Sequence, residues 1–509
     1  MQKQANFTLV SKNTRIWRLE ADIPLVRIIC TVMTRTRSVK TALLAGMTLT
    51  ACVSAPPPPE RPNFDLASDT FAAAPVQIFA AEPVTIAWWE RFEDPVLTQL
   101  VQTALIENKD LAVAAANIET ARASLNRQTL NQSYSTSANA SGDVGRAARD
   151  GADVEVSGSG TLGASWEFDA YGGIAAQIES AARQVEVFEE VRRDLAVTVA
   201  AETALAYVDY RGNQVRLDVA QTNAALQSDS VELLNALFEN GRATRLDVER
   251  AEAQYRTTLA SLPLLEINIR SAAIRLAVLT GRTDFETATW LDAPAPSVSV
   301  IPAPPASLNI GAPEALIRRR PDIRAAEADI ARLLALGDVE RARLFPTLTF
   351  NANILALFTE DNTSAESFGF GIGPALSWEG PDLRRVRADI EIADAQTRAA
   401  YADYESAVVA ALGEVETALV SYAQEQSRQP DLMAASASAE RALELAQLRF
   451  EEGLDDFFDV IDAQRTLLDA QDRLESNRLA TTRQAISTYR ALGGIWQDDE
   501  LAQTLSESE

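Results

Sequence analysis

The chain has 509 residues, a formal net charge of −26 and no histidine, and both of its cysteines lie within the first 52 residues. Beyond Cys52 no histidine or cysteine is available for a metal site, a redox pair or a catalytic triad. We therefore expect no enzyme, no metal and no cofactor. The acidity argues against nucleic acid as a partner, because phosphates require clusters of Lys and Arg.

Residues 1–51 are predicted to be an export signal. Arg35, Arg37 and Lys40 precede a short apolar run, TALLAGMTLT, and we find no apolar run as long as a membrane-spanning helix. A signal of normal length would begin at Met33. We therefore interpret residues 1–32 as an extension that arises from an early start codon.

Cys52 is the predicted lipidation site. It follows Leu49-Thr50-Ala51, an ending that resembles a lipobox, in which the cysteine is acylated and becomes the mature N-terminus. A buried cysteine is the alternative, but the proline-rich stretch that follows argues against it. Residues 52–85 then form a tether, and the covalent lipid anchors the chain without a membrane crossing.

After the tether, the sequence repeats itself once without a gap. The number of positions that separates Trp166 from Trp378 is the repeat offset. The same repeat offset relates Gly241 to Gly453, Gly281 to Gly493, and Asp247-Val248 to Asp459-Val460. A register held over this distance predicts two copies of one large unit rather than a solenoid. We place the copies at residues 86–292 and 314–494, with a proline-rich crossover at 293–313 and an acidic tail at 495–509.

Each copy is predicted to read helix, strand, strand, long helix, helix. The strands alternate with period two, with apolar residues at even positions from Val154 to Phe168 and Phe368 to Trp378. A soluble β-sandwich alternates in the same way. However, four long strands with Ser, Thr, Asn and Gly on one face and aromatic residues near their ends favour a transmembrane barrel. We expect loops at Gly142–Ala152 and Thr359–Ala365.

The long helices are predicted at about Ile174–Glu239 and Leu383–Glu451. At 1.5 Å per residue each would reach roughly 100 Å, far beyond the helices of a soluble bundle. Gly241 and Gly453 end them, and a second helix follows each glycine, so each copy should fold back as a hairpin with a tight tip.

Taken together, these features resemble the TolC/OprM-type outer-membrane efflux factors, specifically their lipoprotein (NodT-like) branch. The residues that carry the resemblance are Trp88-Trp89-Glu90-Arg91-Phe92, Ser165-Trp166-Glu167-Phe168-Asp169, Leu246-Asp247-Val248, Arg319-Arg320-Pro321-Asp322-Ile323, Phe345-Pro346, Asp459-Val460-Ile461-Asp462-Ala463 and Leu492-Gly493-Gly494. They span most of the mature chain.

The resemblance implies a mainly α fold with transmembrane β structure, assembled as a homotrimer. A twelve-stranded outer-membrane β-barrel would continue into a periplasmic α-helical coiled-coil barrel. The partners would be outer-membrane lipid, a periplasmic adaptor and an inner-membrane pump of the resistance-nodulation-division type. The component itself would conduct cargo passively and catalyse nothing.

The same resemblance assigns working residues to the hairpin tips. Asp459 and Asp462 match the positions of the family's periplasmic gate, and Gly241, Thr244, Gly453 and Asp456 lie where the adaptor would dock. Purely structural roles are the alternative for these residues. An acid in the first turn, such as Asp459, stabilises the start of any helix, and glycine is an ordinary helix cap. Asp455 stands where some family members place an arginine.

Two other functions fit the sequence. The first keeps the fold and changes the cargo to polypeptide, as in the outer-membrane duct of a type I protein secretion system. The second is a surface-anchored helical scaffold without a pore, in which the strands form a soluble sheet.

Overall fold

The computed structural model describes residues 70–72, 78–80, 87–146, 154–285, 300–359 and 367–494. The predicted export signal, Cys52, most of the tether, residues 293–299 of the crossover and the acidic tail lie outside these residues.

The described elements follow one pattern twice. The first copy, after the two-residue strand β1 (Phe79–Ala80) and a 3-10 turn at Trp88–Phe92, consists of α1 (Pro95–Glu107), α2 (Lys109–Leu130), β2 (Ser135–Arg146), β3 (Val154–Phe168), α3 (Gly173–Glu239) and α4 (Arg245–Leu279). The second consists of β4 (Leu308–Asn309), α5 (Pro313–Arg319), α6 (Pro321–Ala342), β5 (Thr347–Thr359), β6 (Ser367–Ser377), α7 (Arg384–Glu451) and α8 (Phe457–Ala491). The predicted order of the strand pair, the long helix and the following helix is confirmed in both copies, but two helices rather than one precede each strand pair.

The repeat holds at the level of single hydrogen bonds. The bounds of helices α2 and α6 are related by the repeat offset, and so are those of α4 and α8. The indole Nε1 of Trp166 donates to the carbonyl of Gln132, and that of Trp378 donates to the carbonyl of Leu344, each over 3.0 Å. The duplication therefore preserves tertiary contacts as well as sequence.

The four long strands form one antiparallel sheet in the order β2-β3-β5-β6. Even-numbered residues pair with even-numbered residues throughout, as in Trp166 opposite Phe350 and Ile354 opposite Phe370. The even face is apolar and exposed, and the odd face carries mostly Ser, Thr, Asn and Gly. Within the chain, β2 and β6 are both edge strands.

The loop predicted at Gly142–Ala152 starts too early. Strand β2 continues through Arg146, which pairs with Val154. Gly142, Asp143 and Gly145 have poor strand propensity, but cross-strand pairing with β3 overrides it.

The two long hairpin helices are as long as predicted. Helix α3 has 67 residues and α7 has 68, so each spans about 100 Å. Helix α3 contacts α2, α4, α6 and α8, and α7 contacts α6 and α8. Helix α7 does contain an 18-residue window with a mean hydropathy of 1.2, contrary to our sequence prediction, but Val408, Val415 and Leu419 within α7 are buried against the other helices.

Two hydrophobic clusters lie at different heights along the hairpins. The main core surrounds Trp88, which stacks on Tyr489 with ring centroids 5.3 Å apart. Part of the predicted crossover belongs to it, because β4 pairs with β1 and Thr482 donates to the carbonyl of Pro302. A second cluster lies at the hairpin ends and is here called the tip cluster: Leu234, Val248, Ala251, Ala439, Leu443, Phe457, Val460, Ile461 and Leu467.

Candidate gate at the hairpin tips

Glycine forms the turn at both tips for a conformational reason. Gly241 and Gly453 each have φ of 70°, a region that only glycine adopts without strain. A Cβ at either position would meet nothing within 4 Å, so space is not the constraint. The next amides, of Arg242 and Leu454, donate back to Leu237 and Arg449 over 2.8 Å, the pattern of a Schellman cap.

The first tip continues with a complete capping box. The backbone N–H of Thr244 donates to Asp247 over 2.9 Å, and the Asp247 N–H donates to Thr244 Oγ1 over 3.3 Å. The Thr244 hydroxyl also donates to the Asp247 carboxylate over 2.6 Å. These hydrogen bonds lower the pKa of Asp247. The Asp247 carboxylate is therefore engaged within its own helix end.

The second tip has the same geometry but different chemistry. Asp456 and Asp459 occupy the positions of Thr244 and Asp247, and the side chain of Asp456 makes no capping hydrogen bond. A carboxylate at the N-cap could still accept a hydrogen bond from a backbone N–H, but unlike the Thr244 hydroxyl it has no proton to donate to the acid three residues later. Asp459 remains exposed, and its carboxylate has no hydrogen-bond or ion-pair partner among the described residues.

Arginines near the second tip neutralise part of its acidity. Arg465 donates to Asp462 over 2.6 Å, one helical turn along α8. Arg449 bonds to both carboxylate oxygens of Asp455, with one distance of 2.8 Å, and lowers its pKa. The i,i+3 spacing could have predicted the first pair. The second pair joins two helix ends, so only the turn at Gly453 brings it together.

The tip cluster packs the two hairpin ends against each other. Leu234 and Val248 from the first hairpin meet Phe457 and Val460 from the second. The guanidinium carbon of Arg250 lies 5.2 Å from the ring centroid of Phe458, a cation–π contact between α4 and α8. The structure thus brings all six predicted tip residues to one end of the molecule.

Apolar side chains remain exposed at this end. Leu246 is 57% exposed and Leu454 is 67% exposed. Within the described part of the chain, no group of three or more His, Cys, Asp or Glu could hold a metal ion. The tips therefore offer an acidic and apolar surface.

Both halves of the chain match one family. The sequence profile of the outer membrane efflux protein family matches residues 100–282 and again 312–494, two ranges that are related by the repeat offset. Nodulation protein T of Rhizobium leguminosarum bv. trifolii is 31% identical over 75% of this chain and 82% of its own length. The toluene efflux pump outer membrane protein TtgF of Pseudomonas putida is 29% identical over 81% and 86%.

A solved structure agrees with these matches. The structure of the outer-membrane channel OprN superposes with a TM-score of 0.77 at 33% sequence identity, over 86% of this chain and 99% of that one. The family assignment excludes the scaffold without a pore. The chain belongs to the outer membrane efflux protein family, and it is the outer-membrane channel component of an efflux pump rather than an enzyme.

Proposed function

We propose that three copies of this chain close one continuous duct, with a β-barrel in the outer membrane and a helical barrel in the periplasm. The observation that carries this proposal is the four-stranded sheet, which has two open edges and an exposed apolar face. Phe370 and Ile372 on edge strand β6 are 80% and 82% exposed. Open edges cannot exist in lipid, so β2 of one copy must pair with β6 of the next.

The helical half carries a matching unpartnered surface. Along α4, four apolar side chains recur at helical spacing and remain exposed: Leu264, Ile267, Ile274 and Val278. This spacing is that of a helix–helix seam. A neighbouring copy in the same trimer would cover the stripe.

The tips are the proposed inner end of the duct. Three copies of Asp459 and Asp462 around one axis would favour cations and disfavour anions. The unclosed capping box at the second tip supports this assignment, since it leaves the Asp459 carboxylate without a hydrogen bond or ion pair among the described residues. Gly241, Thr244, Gly453 and Asp456, together with the exposed Leu246 and Leu454, form the surface on which a periplasmic adaptor would dock.

We propose small molecules as the cargo. A toluene efflux component is among the relatives that match over most of their length, which favours small organic compounds delivered by an adaptor and an inner-membrane pump of the resistance-nodulation-division type. A type I duct for polypeptides remains the second candidate. Identifying the pump that co-purifies with the chain separates them: a protein-exporting ATPase would contradict the small-molecule proposal.

A lipid on Cys52 would hold the N-terminus at the outer membrane. The lipobox-like sequence before Cys52 supports this, and Val53 in place of Asp favours outer-membrane sorting. Mass spectrometry of the purified protein should find an N-terminal peptide that begins at acylated Cys52. An unmodified Cys52 in the mature chain would contradict the proposal.

The gate is tested by replacing both aspartates. We expect Asp459→Ala with Asp462→Ala to raise single-channel conductance in planar bilayers, because the narrow ring loses its charge and bulk. The cation-over-anion permeability ratio should fall at least about threefold. Glu249→Ala is the matched control, since Glu249 is an exposed acid on the first hairpin, paired with Arg245. Unchanged conductance and cation preference in the double variant would refute the gate.

A further inference from the structure

In the zone between the tip cluster and the main core, α3 and α7 bury no large apolar side chain, whereas α8 buries Leu474 and α4 buries Leu265. Between Tyr210 and Leu234, α3 buries only alanine, glycine and polar or charged side chains. Between Tyr422 and Ala439, α7 buries no side chain at all. Helical segments with few buried apolar contacts open at lower free energy than the segments on either side of them.

Hydrogen-bonded pairs of polar side chains, here called rungs, join α3 to α8 across this zone. Ser230 pairs with Gln464 and Asn223 pairs with Gln471, each over 2.8 Å. Ser230 precedes Gly241 by as many positions as Gln464 follows Gly453, and the same equality holds for Asn223 and Gln471. The rungs are therefore level, and they fix the register of the two antiparallel helices.

At the level between these two pairs, the side-chain amide of Gln227 lacks hydrogen-bond partners among the described residues. Gln227 is 2% exposed, and neither its Oε1 nor its Nε2 has a hydrogen-bond partner among the described residues. The register set by the flanking rungs places Leu467 opposite it. Gln464 and Gln471 lie within about one helical turn of Leu467 on either side, but they pair with Ser230 and Asn223. The unsatisfied amide of Gln227 therefore weakens the contact between α3 and α8 at this level.

The other two hairpin helices each contain a proline, about two to three helical turns farther from the tips than Gln227. Pro263 follows Gly241 in α4 at almost the same separation as Pro430 precedes Gly453 in α7. Both positions are therefore roughly 33–35 Å from the tips. Each proline lacks the N–H that would donate to the carbonyl one turn before it, of Leu259 and Gln426, and such sites are where helices bend.

Asn477 fixes the upper boundary of this zone. It is 2% exposed, and its Nδ2 donates to the backbone carbonyl and the carboxylate of Glu425, over 3.0 and 2.6 Å. Glu425 is in turn held by Arg428. Helix α7 is thus attached to α8 just above Pro430, and it is thinly packed below.

We propose that this zone is a hinge, here called the belt, defined by Gln227, Pro263, Pro430, Gln471 and Asn477, about which both tips of a chain move as one module. The tip cluster and the contact between Arg250 and Phe458 hold the two hairpin ends together below the belt. The main core holds the upper halves in place above it. The inference rests on the proposed channel function and names the element that would let its inner end open.

The test combines bilayer recording with hydrogen exchange on the full-length protein. Pro263→Ala with Pro430→Ala restores both hydrogen bonds and should lower the frequency of opening roughly tenfold, with the conductance of the open state unchanged. Exchange should also slow in the α3 segment around Gln227, which neither substitution touches. Gln227→Leu should act in the same direction by replacing the unsatisfied amide with an apolar side chain.

Matched controls separate the hinge from general stabilisation. Pro95→Ala changes a first-turn proline that breaks no hydrogen bond, and Gln221→Leu adds the same apolar group at an exposed position of α3. Neither should change opening or exchange in the belt. If the proline double variant gains thermal stability while opening and α3 exchange stay at wild-type values, the hinge is refuted. If the wild-type protein never conducts ions, the proposed channel function is refuted rather than the hinge. Hydrogen exchange in the wild type and the variants then still tests whether the belt is a hinge.

Discussion

Asn108 and Arg320, one an amide and the other a guanidinium, have the same structural role in the two copies. The repeat offset relates them, each stands at the N-cap of a helix, and both are buried. Asn108 Nδ2 donates to the carbonyl of Leu279 over 3.1 Å, and Arg320 Nη1 donates to that of Ala491 over 2.8 Å. Each residue therefore links the last turn of a hairpin helix, α4 or α8, to the N-cap of the helix that precedes the strand pair of the same copy.

Arg320 carries the larger share of stability. It also binds both oxygens of Asp322 and one of Glu414. We expect Arg320→Met to destabilise the fold by about 2–4 kcal/mol, because the Ala491 carbonyl and two partly exposed carboxylates lose a charged donor, and Asn108→Ala by about 1–3 kcal/mol. Chemical unfolding midpoints measure both. Arg318→Met, which removes an exposed pair with Glu314, should cost about 1 kcal/mol or less, and an equal cost for Arg318→Met and Arg320→Met would contradict this account.

These two hydrogen bonds, of Asn108 and of Arg320, could not be predicted from the sequence. Each links a residue to a carbonyl 171 positions away, and an asparagine aligned with an arginine gives no sign of a shared role. The acids at the second tip were visible in the sequence, whereas the link between Arg449 and Asp455 across the turn was not. Local spacing reveals helical partners, but contacts that depend on the turn or on tertiary packing leave no such pattern.

At the scale of elements, the sequence was most informative where one period continues for many residues. Period two identified all four strands of the sheet, and glycines marked both tips. The prediction was weaker where packing overrides propensity. Strand β2 extends through Gly145 to Arg146, and part of the predicted crossover joins the core through β4.

The sequences of the two hairpins differ at the positions of the proposed gate and the proposed hinge. Thr244 and Asp247 close the first tip, while Asp456 and Asp459 leave the second tip without a closed capping box. The interior prolines also break the repeat, since Asp218 and Glu475 stand at the positions equivalent to Pro430 and Pro263. The architecture is duplicated, and the proposed gate and hinge lie where the copies diverge.

At the scale of the whole molecule, one chain is an incomplete structure. Its sheet has two open edges and an apolar face, its helices carry an uncovered apolar stripe, and its acidic tips meet at one end. Each feature would be costly in an isolated copy, and closure around a common axis would satisfy the edges and the stripe. Lipid would then cover the apolar face.

Electron cryo-microscopy of the full-length protein in lipid nanodiscs tests this central claim most directly. We predict a particle with threefold symmetry, in which β2 of each copy pairs with β6 of its neighbour and twelve strands enclose one lumen. The narrowest point should lie at Asp459 and Asp462. A monomeric particle, or an assembly in which β2 and β6 remain unpaired, would contradict the account.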